Sequence, residues 1–194
     1  MREQIKEAIT TSIYIKKSIL EDEELISRLQ ECVESTVAAL KQGNKVLFCG
    51  NGGSAADAQH LAAELAGRFY KDRPPLPAEA LHCNTSYLTA VANDYSYEEI
   101  YSRLIKGVGR QGDVVIGLST SGNSRNVVSA LEAAKSIGMT TVALTGEGGG
   151  KVKAYADYLF TVPSRDTARI QEVHILLGHI YCQLIEGQLF PDGE

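Results

Sequence analysis

The sequence predicts an α/β protein: a doubly wound, mainly parallel sheet flanked by helices. It reads as a single domain over 1–194, with an N-terminal helical pair (1–43) leading into an α/β core and C-terminal helix (44–194). Three observations predict this. Short apolar runs bounded by glycine alternate with segments of helical periodicity, the pattern of a parallel sheet covered on both faces. Two of the runs exit into Gly- or Ser-rich loops that open helices. The 194 residues, 44% hydrophobic and 22% charged, suffice for one packed core and argue against a second catalytic module.

The elements follow in order. Ile5, Ala8, Ile9 and Ile13, then Leu25, Ile26, Leu29, Val33, Val37 and Leu40, recur at steps of three and four residues, so two amphipathic helices open the chain. The acidic stretch 21–24 separates them and puts negative charge in the first turn of the second, where the helix dipole favours it. Gly43 ends that helix. Residues 45–49 (KVLFC) read as a buried strand, whose exit Gly50-Asn51-Gly52-Gly53-Ser54 runs into the alanine-rich helix AADAQHLAAELAGR. A strand at 78–82 and helices around 86–92 and 98–108 come next. The grammar then repeats: strand 114–118 (VVIGL), loop Ser119-Thr120-Ser121-Gly122-Asn123-Ser124, and helix 126–137 stopped by Gly138. A third glycine-flanked unit has strand 140–144 (TTVAL), the loop 145–150 and a short helix at 152–155, before a last strand at 158–162. Residues 167–190 form one long helical pattern with Ile170, Val173, Leu177, Ile180, Leu184 and Leu189 among its apolar positions. Two helices before the sheet and one after it carry more apolar surface than one small sheet can cover. The N-terminal helices are therefore expected to pack at a subunit interface.

Composition excludes several function classes. With 19 Lys and Arg against 24 Asp and Glu the net charge is −5, and no basic run offers a footprint for a nucleic-acid backbone. The opening MREQIKEAITTSIYIKK interleaves charged and apolar residues, unlike a signal peptide, and nothing approaches the ~18 apolar residues of a membrane span. Cys32, Cys49, Cys83 and Cys182 are widely spaced among apolar neighbours, as buried thiols are, which suits a reduced, cytoplasmic setting.

Chemistry is expected beyond the carboxyl ends of the strands, where the loops lie. A glycine-rich loop opening a helix offers backbone N–H groups to an anion, helped by the dipole, and Ser119, Thr120, Ser121 and Ser124 add four hydroxyls. The same residue types also make ordinary turns; two such loops after successive buried strands favour the phosphate cradle. Neither loop matches a nucleotide fingerprint, so a small phosphorylated metabolite is the expected ligand. His60 and Glu64 stand four apart on one helix face, placed to pair with each other or to share a metal ion. In the last helix Gln171, His174 and His179 stand among apolar residues, as packed histidines or as ligands.

Five ordered motifs carry a resemblance: CGNGGSAADAQHLAAEL, the pair Asn93-Asp94, GLSTSGNSRNV, ALTGEGG and ARIQEVHILLGHI. Together they resemble the sugar isomerase (SIS) domain family, most closely its phosphoheptose isomerase branch, over nearly the whole chain. The resemblance implies a homotetramer with active sites at subunit boundaries. It implies conversion of sedoheptulose 7-phosphate to D-glycero-D-manno-heptose 7-phosphate, the entry to bacterial heptose precursors of lipopolysaccharide and related glycans. By the same resemblance Asn51, Gly52, Gly53, Ser119, Thr120, Ser121 and Ser124 hold the substrate, chiefly its phosphate, while Asn93, Asp94 and Gln171 touch the sugar. Glu64, also a substrate contact, and His179 match the acid/base pair, and His60, Glu64, Gln171 and His179 match a zinc site. Ala168 stands where many members have Asp, so a contact made by that Asp is not expected here.

The implied chemistry suits the residues. Ketose–aldose isomerisation passes through an enediol, with a base taking a C–H proton and an acid protonating the carbonyl oxygen. Glu64 is expected as base and His179 as acid, with zinc polarising the carbonyl. Gln171 and His179, eight residues apart on one helix, are about 12 Å apart along the axis and roughly 80° around it. Ligands about 2.0–2.2 Å from one zinc cannot span that rise. Either the helix breaks near Gly178 or the two come from different subunits, and the second is the expectation. Two competing readings remain in the same family: a non-catalytic protein that binds the replication initiator DnaA, which a C-terminus like QLFPDGE (188–194) also resembles, and an isomerase of another sugar phosphate. Retention of both Glu64 and His179 favours catalysis.

Overall fold

A five-stranded sheet, parallel throughout in the order β2-β1-β3-β4-β5, forms the centre of the computed structural model, which describes residues 1–191. The last residues of the QLFPDGE segment lie outside the described residues. The strands are β1 (Val46–Gly50), β2 (Ala78–Ala80), β3 (Val114–Ser119), β4 (Thr140–Thr145) and β5 (Tyr158–Thr161). Helices α1 (Arg2–Leu20), α2 (Glu23–Lys41), α3 (Gly53–Ala66) and α7 (Thr167–Leu189) pack on one face, and α4 (Thr85–Asp94), α5 (Ile100–Val108) and α6 (Arg125–Ile137) on the other. The expected doubly wound architecture is the one observed.

Alternation along the strands builds two cores. Val46, Phe48, Val114, Ile116 and Leu118 face the α2, α3 and α7 side, while Leu47, Cys49 and Val115 face α5 and α6. Both faces of β1 and β3 are buried, which is why these strands read as unbroken apolar runs. Asp22 caps α2 by accepting from the Leu25 amide at 2.9 Å, and Gly43, at φ +83°, turns the chain out of it. The tertiary structure trims several expected elements. The strand expected at 78–82 pairs only over Ala78–Ala80, the helix at 98–108 starts as a separate 3₁₀ turn (Tyr97–Glu99), and the short helix near 152–155 is a 3₁₀ turn at Lys151–Ala154. Cys83 is a correction: Cys32, Cys49 and Cys182 are buried, but Cys83 is exposed because β2 ends before it. All four are free thiols.

Helix α7 runs unbroken through Gly178, so the helix does not separate Gln171 from His179 by a break. A Cβ on Gly178 would lie 2.5 Å from Leu61 of α3, so the missing side chain is what lets these two helices meet so closely. On the outer side of α1 and α2, Ile5, Ile9, Ile13 and Tyr14 are exposed, and an apolar groove of about 510 Å³ opens between Leu20, Ile26, Leu29, Ile180 and Leu184. No helix among the described residues is long and apolar enough to cross a membrane.

His174 of α7 is wholly buried, its ring nitrogens without a well-aligned hydrogen-bond partner beside the Thr145 backbone. Burial pushes its pKa down to about 4. The unfolded imidazole, near 6.5, binds a proton that the folded one refuses, so this contribution to stability is whole above about pH 6.5 and is lost as pH falls toward 4. Denaturant titrations between pH 7 and 4 should show the parent losing up to about 3 kcal/mol more stability than a His174→Leu variant over that interval.

Candidate active site

β1 and β3 are neighbours in register, with Gly50 opposite Leu118, so their exit loops leave the sheet at one level. The chain turns one way from β1 to reach β2 and the other way to place β3, which makes this pair the topological switch point where open parallel sheets bind ligands. Both loops are forced tight. A Cβ on Gly50 would lie 2.5 Å from the Ser54 carbonyl oxygen, and Gly52 holds φ +55° to start α3. Gly122, at φ +66°, has the Gly149 carbonyl where a Cβ would stand. The 146–150 loop braces the serine loop from behind, with the Gly146 amide donating to Thr120 O (2.9 Å) and the Val152 amide to Gly122 O (3.0 Å).

Neither α3 nor α6 has a side chain capping its N-terminus. Ser124, the residue preceding α6, instead accepts a hydrogen bond from the Ser119 hydroxyl at 3.0 Å. The N-termini of α3 and α6, with their partial positive charge, thus follow the exits of neighbouring strands, with Gly52 and Gly53 at one and Ser119, Thr120, Ser121 and Ser124 at the other. Asn51 behaves differently from its neighbours. Its side-chain amide is engaged with Asn126 in a reciprocal pair (2.9 and 2.8 Å) and its oxygen also accepts from Tyr97 (3.1 Å). It clasps the two loops together. Tyr97 lies outside the motifs, and Asn126, though inside GLSTSGNSRNV, follows the serine loop as the second residue of α6, so spacing alone gives neither of them a partner.

Further along α3, His60 Nε2 lies 2.9 Å from Glu64 Oε1, the i,i+4 pairing that the spacing allowed. From α7, His179 brings its Nε2 to within 3.1 Å of His60 Nε2, so one of the two rings donates a hydrogen and the other accepts it. Three ligand atoms from His60, Glu64 and His179 lie within 4.8 Å of one another and could hold a metal ion. Asp57 sits one turn before His60 with one carboxylate oxygen buried and unpartnered. Burial raises its pKa, an effect opposed by the nearby His60 and His179. The sequence reading passed over this carboxylate. Phe69, also unremarked, stacks at 5.7 Å from the His179 ring.

Gln171 is not with this trio in its own chain. Its amide lies against Gly53, where a Cβ would be 2.5 Å from Nε2, so it belongs to the cradle end of α7. Asn93 and Asp94 close α4, exposed and bonded to each other at 2.9 Å, next to the turn that carries Tyr97 to Asn51. Ala168 lies exposed in the first turn of α7, its amide held by the capping Asp166.

The chain is similar to known proteins along its length. The SIS domain model matches residues 14–146. The phosphoheptose isomerase of Sulfurimonas denitrificans is 51% identical over 193 residues, covering 100% of this chain and 99% of that protein. The structure of a phosphoheptose isomerase from Neisseria gonorrhoeae superposes with a TM-score of 0.89 at 43% identity, covering 96% of this chain and 98% of that one. One from Francisella tularensis gives 0.90 at 35% identity, covering 94% and 96%. A switch-point cradle, a histidine–carboxylate group on α3 and α7, and likeness along the full length lead to one conclusion: the chain belongs to the SIS domain family, in its phosphoheptose isomerase branch.

Proposed function

We propose that this enzyme interconverts sedoheptulose 7-phosphate and D-glycero-D-manno-heptose 7-phosphate in the cytoplasm. The observation that carries this reading is that α3 opens at the phosphate cradle and presents His60 about 10 Å along its axis, where the Glu64 carboxylate, from one turn further on, and the His179 ring meet it. An extended sugar phosphate spans that separation, with its phosphate at the helix N-termini and its carbonyl end at the proton-transfer groups.

In this mechanism Gly52, Gly53 and the hydroxyls of Ser119, Thr120, Ser121 and Ser124 take the phosphate, and Asn93, Asp94 and Gln171 meet sugar hydroxyls. Asn51 acts by holding the two loops in register. Glu64 removes a proton from C1 while His179 delivers one to the C2 oxygen, giving the enediol; loss of the O1 proton and return of a proton to C2 completes the aldose. The carboxylate and two imidazoles are a donor set that suits zinc, and their grouping fits one ion held by His60, Glu64 and His179. Such an ion would polarise the substrate carbonyl. Because Gln171 of the same chain lies at Gly53, a fourth ligand from Gln171 would come from a second copy.

That requirement and the exposed apolar face lead to the same assembly. The groove between α1, α2 and α7, together with Ile5, Ile9 and Ile13, supplies the surface for a homotetramer with active sites at the subunit boundaries. Neither nucleic acid nor membrane has a place in this reading.

Three measurements test it. Following aldose formation from sedoheptulose 7-phosphate, Glu64→Gln and His179→Gln should each lower kcat by about 10²–10⁴-fold, and near-parental turnover in both would remove the assignment. Gly122→Ala, strained by its φ and by the Gly149 carbonyl, should raise KM for the sugar phosphate by about tenfold or more, since the loop cannot close on the phosphate. Leu184→Arg, which puts a charge into the groove, should yield smaller particles in sedimentation analysis together with lost turnover; a folded monomer with full activity would refute the shared-site reading.

A further inference from the structure

Helix α3 ends one residue short of Gly67, and the carbonyls of its last turn need partners. Arg73, nine residues beyond Glu64, supplies them. Its guanidinium donates to Glu64 O (2.8 Å), Leu65 O (2.7 Å) and Gly67 O (2.9 Å), and its Nε donates to Glu186 Oε1 at 3.0 Å. Both side chains of this ion pair are 2% exposed. The cation also sits at the negative end of the helix, where the dipole favours it.

Glu186 belongs to α7, seven residues after His179 and so on the same helix face. Besides Arg73 it accepts the amides of Phe69 (3.1 Å), Tyr70 (2.8 Å) and Lys71 (3.0 Å). One carboxylate thereby gathers the whole loop that follows α3. Burial pushes the Glu186 pKa up, but these four donors outweigh it and leave it below the usual carboxylate range. The loop so folded sets the Phe69 ring 5.7 Å from His179.

We propose that Arg73 and Glu186 are positioning residues for the proton-transfer pair. Their ion pair locks the Glu64 backbone against the helix that bears His179, and it folds residues 67–73 so that Phe69 walls the His179 ring. The inference rests on the reading of Glu64 and His179 as base and acid. None of the three residues lies at the phosphate cradle, so their loss misplaces the reacting groups without loosening the phosphate. A small misplacement of this kind costs turnover heavily.

The test measures kcat and KM for sedoheptulose 7-phosphate in Arg73→Lys, Glu186→Gln, Phe69→Ala and Phe69→Tyr, with circular dichroism and thermal melting to select folded variants. Arg73→Lys keeps the charge but loses the fork that reaches four carbonyls, those of Glu64, Leu65, Gly67 and Pro74. Glu186→Gln presents an amide N–H₂ to backbone donors. The expected result is a fall in kcat of about tenfold or more with KM within about twofold for the first three, and recovery of kcat in Phe69→Tyr, which keeps the ring. If removing a partner of the buried pair prevents folding, the two Phe69 variants decide. Unchanged kcat in the folded variants, a change confined to KM, or equal kcat in Phe69→Ala and Phe69→Tyr overturns the proposal. Glu64→Gln and His179→Gln are run beside them. If these are inert while the positioning variants behave as the parent, this inference alone falls; if these turn over normally, the proton-transfer reading falls and takes this one with it.

Discussion

The site depends on the close approach of α3 and α7 where Leu61 fills the space beside Gly178. His60 and His179 are the immediate neighbours of those two residues, so the distance between the helices sets the distance between the imidazoles. Packing here does what no local interaction on either helix could. The i,i+4 geometry of α3 brings His60 to Glu64, but only tertiary contact brings His179 to both. The interior is close-packed, so a side chain added at 178 would have to be accommodated by movement of Leu61 or of the helices. Either movement would be felt at the His60, Glu64 and His179 cluster.

Much of the fold was legible because its signals are local. β1 and β3 are buried on both faces and announce themselves as apolar runs between glycines, and each helix core-facing stripe repeats at the helical period. The two loops were legible for the same reason, since each is a Gly- or Ser-rich stretch that leaves a buried strand and opens a helix. The resemblance to a known family supplied the roles that spacing alone left open, above all the pairing of Glu64 with His179. What stayed hidden were contacts made across the chain. Asn126 meets Asn51 from 75 residues away, and Glu186 meets the loop at 69–71 from more than 110 residues away. Asn126 stands inside the GLSTSGNSRNV motif, but nothing there says that it meets Asn51, and nothing around Glu186 marks it. The exposed Cys83 shows the converse error: apolar neighbours suggested burial, but the strand that would have buried it ends at Ala80.

The eight-residue separation of Gln171 and His179 shows how plain helix geometry constrains function. With α7 continuous, one end of the helix attends the cradle and the other attends the histidine–carboxylate group. The helix therefore runs from the Gly53 end of α3 to its histidine–carboxylate group, as α3 itself does, with His60 two turns and Glu64 three turns along.

The absence of Lys and Arg from the cradle segments 50–59 and 119–124 bears on how substrate arrives as well as on how it is held. The partial charges of helix termini act over about one turn, unlike the field of a lysine cluster, which reaches outward to about the screening length. On the proposed reading, the pull that these two segments themselves exert on a phosphate is therefore short-ranged. In that reading these segments recognise a seated phosphate rather than an approaching one. Their contribution to the proposed site then depends on how the phosphate fits the helix termini more than on its charge at a distance.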